Sequence, residues 1–179
     1  MPQQQPLDLR LLGVPPGLPA LTPALGMAYA EAAAVCFAYH GHRSGTCVDV
    51  RGIKNCRYRV KFPKVTAQVK RSHNDLGYAT EDGAYAMAIC LAMEITGTTV
   101  VLQARKGTGF DYWLGERDDA LFQNTSRLEV SGILDGEDSE ISTRLKRKQQ
   151  QTQKSDATGL PAYVCVVEFG KPESYFTKR

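Results

Sequence analysis

The chain has 179 residues, of which 42% are hydrophobic and 23% charged, and its formal net charge is +3. That length supports one domain with a full-sized core, and a nucleic-acid affinity resting on total charge is excluded; it would have to come from uneven distribution. No apolar run reaches the ~20 residues that span a bilayer, and no basic start followed by an apolar core marks a secretory signal.

Residues 1–25 hold six of the nine prolines and three consecutive glutamines, which predicts an extended N-terminal arm. Residues 26–40, GMAYAEAAAVCFAYH, are nearly all apolar or alanine and predict a mostly buried helix ending at Gly41, with Glu31 its one charge. CVDV and RYRVKF read as strands separated by the turn-like RGIKN. In RYRVKF strict alternation sends Tyr58, Val60 and Phe62 one way and Arg57, Arg59 and Lys61 the other. VTAQVK, residues 65–70, is expected to extend the sheet. Residues 80–96 carry Ala84, Met87, Ala88, Leu91, Ala92 and Ile95 at helical spacing, with Thr80 as N-cap and Gly97 at the end. TTVVLQAR, the turn KGTG and FDYWLG predict a hairpin, and SRLEVSGI a further strand. Residues 137–154 predict a polar helix with a thin apolar stripe of Ile141 and Leu145. AYVCVVEF lacks alternation, as expected of a strand buried on both faces. The fold class is therefore mixed α/β: an arm over 1–25 and a single domain over 26–179, with a central mixed sheet flanked by helices.

Charge is distributed unevenly. From Arg51 to Arg71 there are eight basic residues and no acid. Arg57, Arg59 and Lys61 form a basic face with interleaved aromatics, a pattern that tracks a phosphate backbone. A second group, Arg144, Lys146, Arg147, Lys148 and Lys154, follows Glu137, Asp138 and Glu140. Acids before bases is also what a helix macrodipole favours, so part of that group has a structural explanation.

Two acids, Asp111 in GFDYWLG and Glu129 in LEVSG, lie inside short runs that predict strands. One explanation places each on the wet side of its strand. The other brings both to one metal ion: Mg²⁺ takes hard oxygen ligands, usually one or two carboxylates, and activates water for phosphodiester cleavage.

The order from residue 80 onward is helix, three strands, helix, strand. This arrangement, with Asp111 at the start of the second strand and Glu129 on the third, resembles the PD-(D/E)xK nuclease superfamily over residues 80–170. The resemblance implies a restriction-endonuclease-like core and a Mg²⁺ or Mn²⁺ site held by Asp111, Glu129 and the backbone carbonyl of Val130. It makes Glu81 the nearest candidate for a further acid from the first helix. It also places Ser131 where the family has its catalytic lysine. Serine cannot carry that charge. Members of the superfamily that lack this lysine supply one from the next helix, where Lys146 and Lys148 stand, or have lost catalysis and kept binding. On the uneven charge, Arg57, Arg59, Lys61, Lys146 and Lys148 would hold nucleic-acid phosphates. The biological setting would be prokaryotic defence or DNA processing, as a cytoplasmic subunit of a complex.

Three functional readings follow. The first is a nucleic-acid-acting, metal-dependent nuclease. The second is a non-catalytic nucleic-acid-binding or assembly module on the same fold, which Ser131 favours. The third is a protein-interaction domain, or a homo-oligomer, that docks through the arm and helix 26–40. A zinc site from His40, His42, Cys47 and Cys56 has no tight ligand spacing to support it. The five cysteines are scattered without a CxxC pair, as suits reduced thiols. GTG at 107–109 lacks the context of a phosphate loop. Glu168 stands out as an acid in a strand that reads as buried, and is expected at its exposed end.

Overall fold

Short polar signals set the helix starts. Thr22 accepts a hydrogen bond from the Leu25 amide at 3.3 Å, and Pro23 opens helix α1 (Pro23–Tyr39), where its missing N–H costs nothing. Thr66 caps the short helix α2 (Ala67–Ser72), so the segment expected to extend the sheet is helical instead. Asp75 accepts from the amides of Gly77 and Tyr78 and starts helix α3 (Leu76–Thr96) one turn before the expected Thr80. Gly97, in the left-handed conformation at φ 72°, ends it. Helix α4 spans Asp138–Gln151, and a 3-10 turn, Thr152–Thr158, replaces its expected last residues.

The computed structural model describes residues 5–118, 121 and 123–179. Among these, the strands β1 (Gln5–Asp8), β2 (Thr46–Gly52), β3 (Cys56–Lys61), β4 (Thr99–Gln103), β5 (Tyr112–Gly115), β6 (Ser126–Ile133), β7 (Ala162–Glu168) and β8 (Glu173–Lys178) form one mixed sheet, in the order β1-β3-β2-β8-β7-β6-β5-β4. β4, β5 and β6 make an antiparallel meander. β7 returns parallel to β6 after α4, and β8 joins the two halves by pairing antiparallel to β7 and parallel to β2. The mixed α/β class expected from the sequence is the class observed.

The helices cover the sheet unequally. α1 and α3 pack on one face with the main core, where Phe37 stacks on Phe62 at 5.1 Å and meets the edge of Phe169 at 5.0 Å. Small residues let these helices approach closely: a Cβ on Gly83 would come within 2.8 Å of the Ala33 backbone. α4 covers part of the other face. There Ile141, its one fully buried side chain, joins Ile133, Val164 and Val166 in a smaller cluster. β7 feeds both, with Cys165 and Val167 on one side and Val164 and Val166 on the other, so its lack of alternation has the expected cause.

The N-terminal segment departs from the sequence reading. From Gln5 onward it is not a free arm: β1 pairs parallel with β3, and Leu7, Leu9, Leu12 and Leu21 are buried in the main core. Helix 26–40 likewise buries Ala32, Ala33, Ala34 and Phe37 inside the chain. These apolar side chains are therefore used by the fold itself, while Leu11, Val14 and Leu25 of the N-terminal segment stay exposed. Prolines hid this because they allow an edge strand, and β1 is one. The five cysteines are free thiols, and no described helix is long and apolar enough to cross a membrane.

Candidate catalytic site

Register brings the two acids together. β5 pairs with β6 as Tyr112↔Leu128, and Asp111, just ahead of β5, still donates its amide to Leu128 O at 2.8 Å. That register sets Asp111 opposite Glu129, and opposed residues of an antiparallel pair point to the same face. The two carboxyl groups lie close enough for a hydrogen bond to form between them when one is protonated. Burial first, and the Asp111 charge second, push Glu129 from the ordinary carboxylate range up to about 7.

Each acid is held by named donors. Asp111 Oδ1 accepts from the Tyr85 hydroxyl on α3 at 3.0 Å, and Oδ2 accepts from the Val130 amide at 2.8 Å. Tyr85 packs edge-on to Tyr112 at 5.7 Å, and Tyr112 shares a hydrogen bond with Tyr29 at 3.1 Å. Burial and the Asp111 charge raise the Tyr85 phenol, which keeps it a donor. Glu129 is 1% exposed and lies under α4. Its Oε1 accepts from Lys148 Nζ at 2.5 Å and Gln151 Nε2 at 2.9 Å. The wet-side explanation fails for Glu129.

The face of α4 explains these contacts. Arg144, Lys148 and Gln151 stand at helical spacing and meet Ser131 and Glu129, which alternate along β6. Arg144 donates to Ser131 Oγ at 3.1 Å and to Gly132 O at 3.3 Å. Below them Arg127, 3% exposed, pins the 3-10 turn to β6 through Thr152 O at 3.0 Å, Ser155 Oγ at 2.6 Å and Leu160 O at 2.6 Å. The cations near the acids therefore come from the helix rather than from position 131.

The residues fit a divalent cation. Glu129 Oε2 is buried and has no hydrogen-bond partner among the described residues, although it belongs to a carboxyl group beside another. The Val130 amide points at Asp111, and in a strand the carbonyl of the same residue points to the same side. Two carboxylates and a carbonyl form a hard-oxygen set of the kind Mg²⁺ or Mn²⁺ takes. No group of three or more His, Cys, Asp or Glu placed for a metal occurs among the described residues. A cavity of about 100 Å³ opens here, lined by Asp111, Tyr85, Ser131, Arg144, Lys148 and the exposed Glu81.

The remaining candidates scatter. Lys146 is exposed, two residues from Lys148 and hence on another side of α4, so the two do not form one phosphate-binding pair. Arg57, Arg59 and Lys61 are exposed on β3, as alternation requires, but the acid-free run is not acid-free in space. Asp49 on β2 binds Arg57 through both oxygens, at 2.6 and 2.9 Å, and Asp8 on β1 lies opposite Lys61. Glu168 is buried, not at an exposed end; it accepts the amides of Gly170 and Lys171 at 2.7 and 2.6 Å and closes the β7–β8 turn. His40 and His42 each use Nε2 on a backbone carbonyl, Leu134 O and Gly170 O, and no cluster of three or more His, Cys, Asp or Glu that could hold a metal forms around them among the described residues. Tyr85 and Gln151 were missed in sequence, and Arg144 was read only as part of the second basic group. The signal for Gln151 was its spacing of three from Lys148; Tyr85 lies four residues beyond Glu81 on α3.

Comparison of the chain with family models, curated proteins and solved structures gives no match.

Proposed function

We propose that this protein is a metal-dependent phosphodiesterase acting on nucleic acid, with Lys148 in place of the lysine absent at Ser131. The observation that carries the reading is the Asp111–Glu129 pair, faced by Lys148 at 2.5 Å and holding a buried carboxylate oxygen without a partner. The order α3, β4–β6, α4, β7, with β6 parallel to β7, supports the PD-(D/E)xK likeness. Asp111, Glu129 and the Val130 carbonyl would hold Mg²⁺ or Mn²⁺, which when bound lowers the pKa of a ligated water and offsets charge on a phosphate.

The chain's own groups do the rest. Tyr85 and the Val130 amide fix both Asp111 oxygens, and Gln151 fixes Glu129, so the acids are preorganised by neighbouring hydrogen bonds. The Lys148 ammonium stands where it can orient a water beside Glu129 and stabilise charge developing on the phosphate. Arg144, on the cavity wall, offers a guanidinium to a phosphate oxygen. The test is incubation with DNA and RNA substrates plus Mg²⁺ or Mn²⁺, beside an Asp111→Asn control. Metal-dependent cleavage lost in the control supports the reading; no cleavage under any condition rejects it.

A second reading, a binding module without catalysis, is favoured by the Ser131 hydroxyl being occupied by Arg144 instead of a lysine. It expects nucleic-acid binding that persists without metal and is unchanged by Lys148→Ala.

A further inference from the structure

The cavity beside Asp111 is the middle of a longer groove. On one side it shares Tyr85 and Asp111 with a cleft of about 480 Å³ between the β4–β5 loop and the end of α4. On the other it shares Glu81, Gly132 and Arg144 with a cleft of about 690 Å³. The two flanks carry opposite charge. The first presents Arg105, Lys106 and Lys154, with Asp111 its one acid. The second presents Asp75, Glu81, Asp135 and Glu140 against Arg144 alone.

The three bases of the first flank are exposed, and none forms an ion pair with a described carboxylate. Arg57, Arg10 and Arg51, on the β1–β3–β2 side of the sheet, are by contrast engaged by Asp49, Asp8 and Glu173. A polyanion gains most where positive charge is not already neutralised.

The loop that carries Arg105 and Lys106 is held in place by its own chemistry. Thr108 Oγ1 donates to Arg105 O at 2.8 Å and closes the turn. Gly109, at φ 88°, has no side chain to separate the loop from α4; a Cβ there would lie 2.4 Å from Gln151 O. The same Gln151 holds Glu129 with its side-chain amide. The basic cleft is thus fastened directly to the acid pair. Its volume is on the scale that takes one small ligand, which suits nucleotides of a single strand better than the width of a duplex.

We propose that a single-stranded nucleic acid reaches Asp111 and Glu129 along the Arg105–Lys106–Lys154 cleft, which holds its phosphates, and not across the β3 face. The acidic flank beyond Glu81 repels phosphates, so the strand is anchored on one side of the acid pair only. This rests on the hydrolytic reading for the role of the acids, but its test does not use cleavage. In the Asp111→Asn protein, binding of a fluorescein-labelled oligothymidylate is followed by anisotropy over a salt series, with a duplex of equal length as comparator. Replacing Arg105, Lys106 and Lys154 by Ala is expected to lower the slope of log K against log salt by about 2, at about 0.7 per single-strand phosphate contact. Replacing Arg57, Arg59 and Lys61 by Ala is expected to leave it unchanged, and the duplex to bind more weakly than the single strand. Lys106→Glu alone, on an exposed loop, serves as a second variant and is expected to weaken binding in the same direction. Loss of binding in the β3 variant with an intact cleft variant, or no binding of the single strand, overturns the proposal. Absence of metal-dependent cleavage alongside cleft-dependent binding rejects the hydrolytic reading and leaves this one standing.

Discussion

Replacing Glu129 by Gln isolates the strain that a buried carboxyl group beside a second, half-buried one places on the fold. In the folded protein burial and the Asp111 charge raise Glu129 from 4.5 to about 7. Below about pH 4.5 the carboxyl is protonated both folded and unfolded, so it adds no pH dependence. As pH rises from about 4.5 through about 7, the unfolded chain releases a proton that the folded one retains, and stability falls. Above about 7 both are ionised and the loss is complete. The shift corresponds to on the order of 3 kcal/mol. Gln keeps the shape and never ionises. The attraction of Lys148 for the ionised carboxylate is already contained in that folded value. The variant is therefore expected to match the parent near pH 4.5 and to exceed it by about 3 kcal/mol at pH 8. Urea unfolding of both proteins at the two pH values, with chelator present, measures the difference. Equal pH slopes, or a parent more stable than the variant at pH 8, would refute the reasoning.

Other substitutions address the metal, the lysine and the helix. Mg²⁺ or Mn²⁺ at 100 times its dissociation constant is expected to stabilise the parent by about 2.7 kcal/mol, read as a rise in thermal midpoint that Asp111→Asn abolishes. Ser131→Lys is expected to add no cleavage, because Lys148 already occupies the space beside Glu129 and Arg144 already binds position 131; a large gain measured in a cleavage assay would show that Lys148 does not serve. Ile141→Ala removes the one fully buried anchor of α4 and is expected to cost about 2–4 kcal/mol in urea unfolding, with cleavage falling further as Lys148 loses its placement.

Much of the fold was legible because single elements carry strong local signals. The alternation of Tyr58 and Val60 against Arg57 and Arg59, the apolar run of β7 and the alanine-rich stretch of α1 each state their own burial. β1 and β8 were not legible. β1 sits among prolines, and the sequence of β8, ESYFTK, is short and polar; both gain strand structure only by pairing with β3, β2 and β7. The starting point of α3 depended on Asp75, which lies ahead of the apolar stripe that marked the helix.

The site was legible in its acids and less so in its cations. Asp111 and Glu129 stood out because carboxylates are rare in half-buried strands. Their convergence needed register, which no single strand encodes. The basic run 51–71 misled because sequence shows neighbours along the chain, whereas Asp49 and Asp8 approach from adjacent strands. Arg105 and Lys106 lie far from Lys154 in sequence, and the close approach of Gly109 to the end of α4 brings them to one cleft.

The most direct test of the central claim is a cleavage assay on the parent, Asp111→Asn and Lys148→Ala, each with Mg²⁺, with Mn²⁺ and with chelator, on single-stranded DNA and RNA. The account predicts cleavage by the parent only with metal, none by Asp111→Asn, and a loss of about 10²–10³-fold in rate for Lys148→Ala, the scale of one electrostatic donor. Metal-independent cleavage, or equal rates in all three proteins, would contradict it.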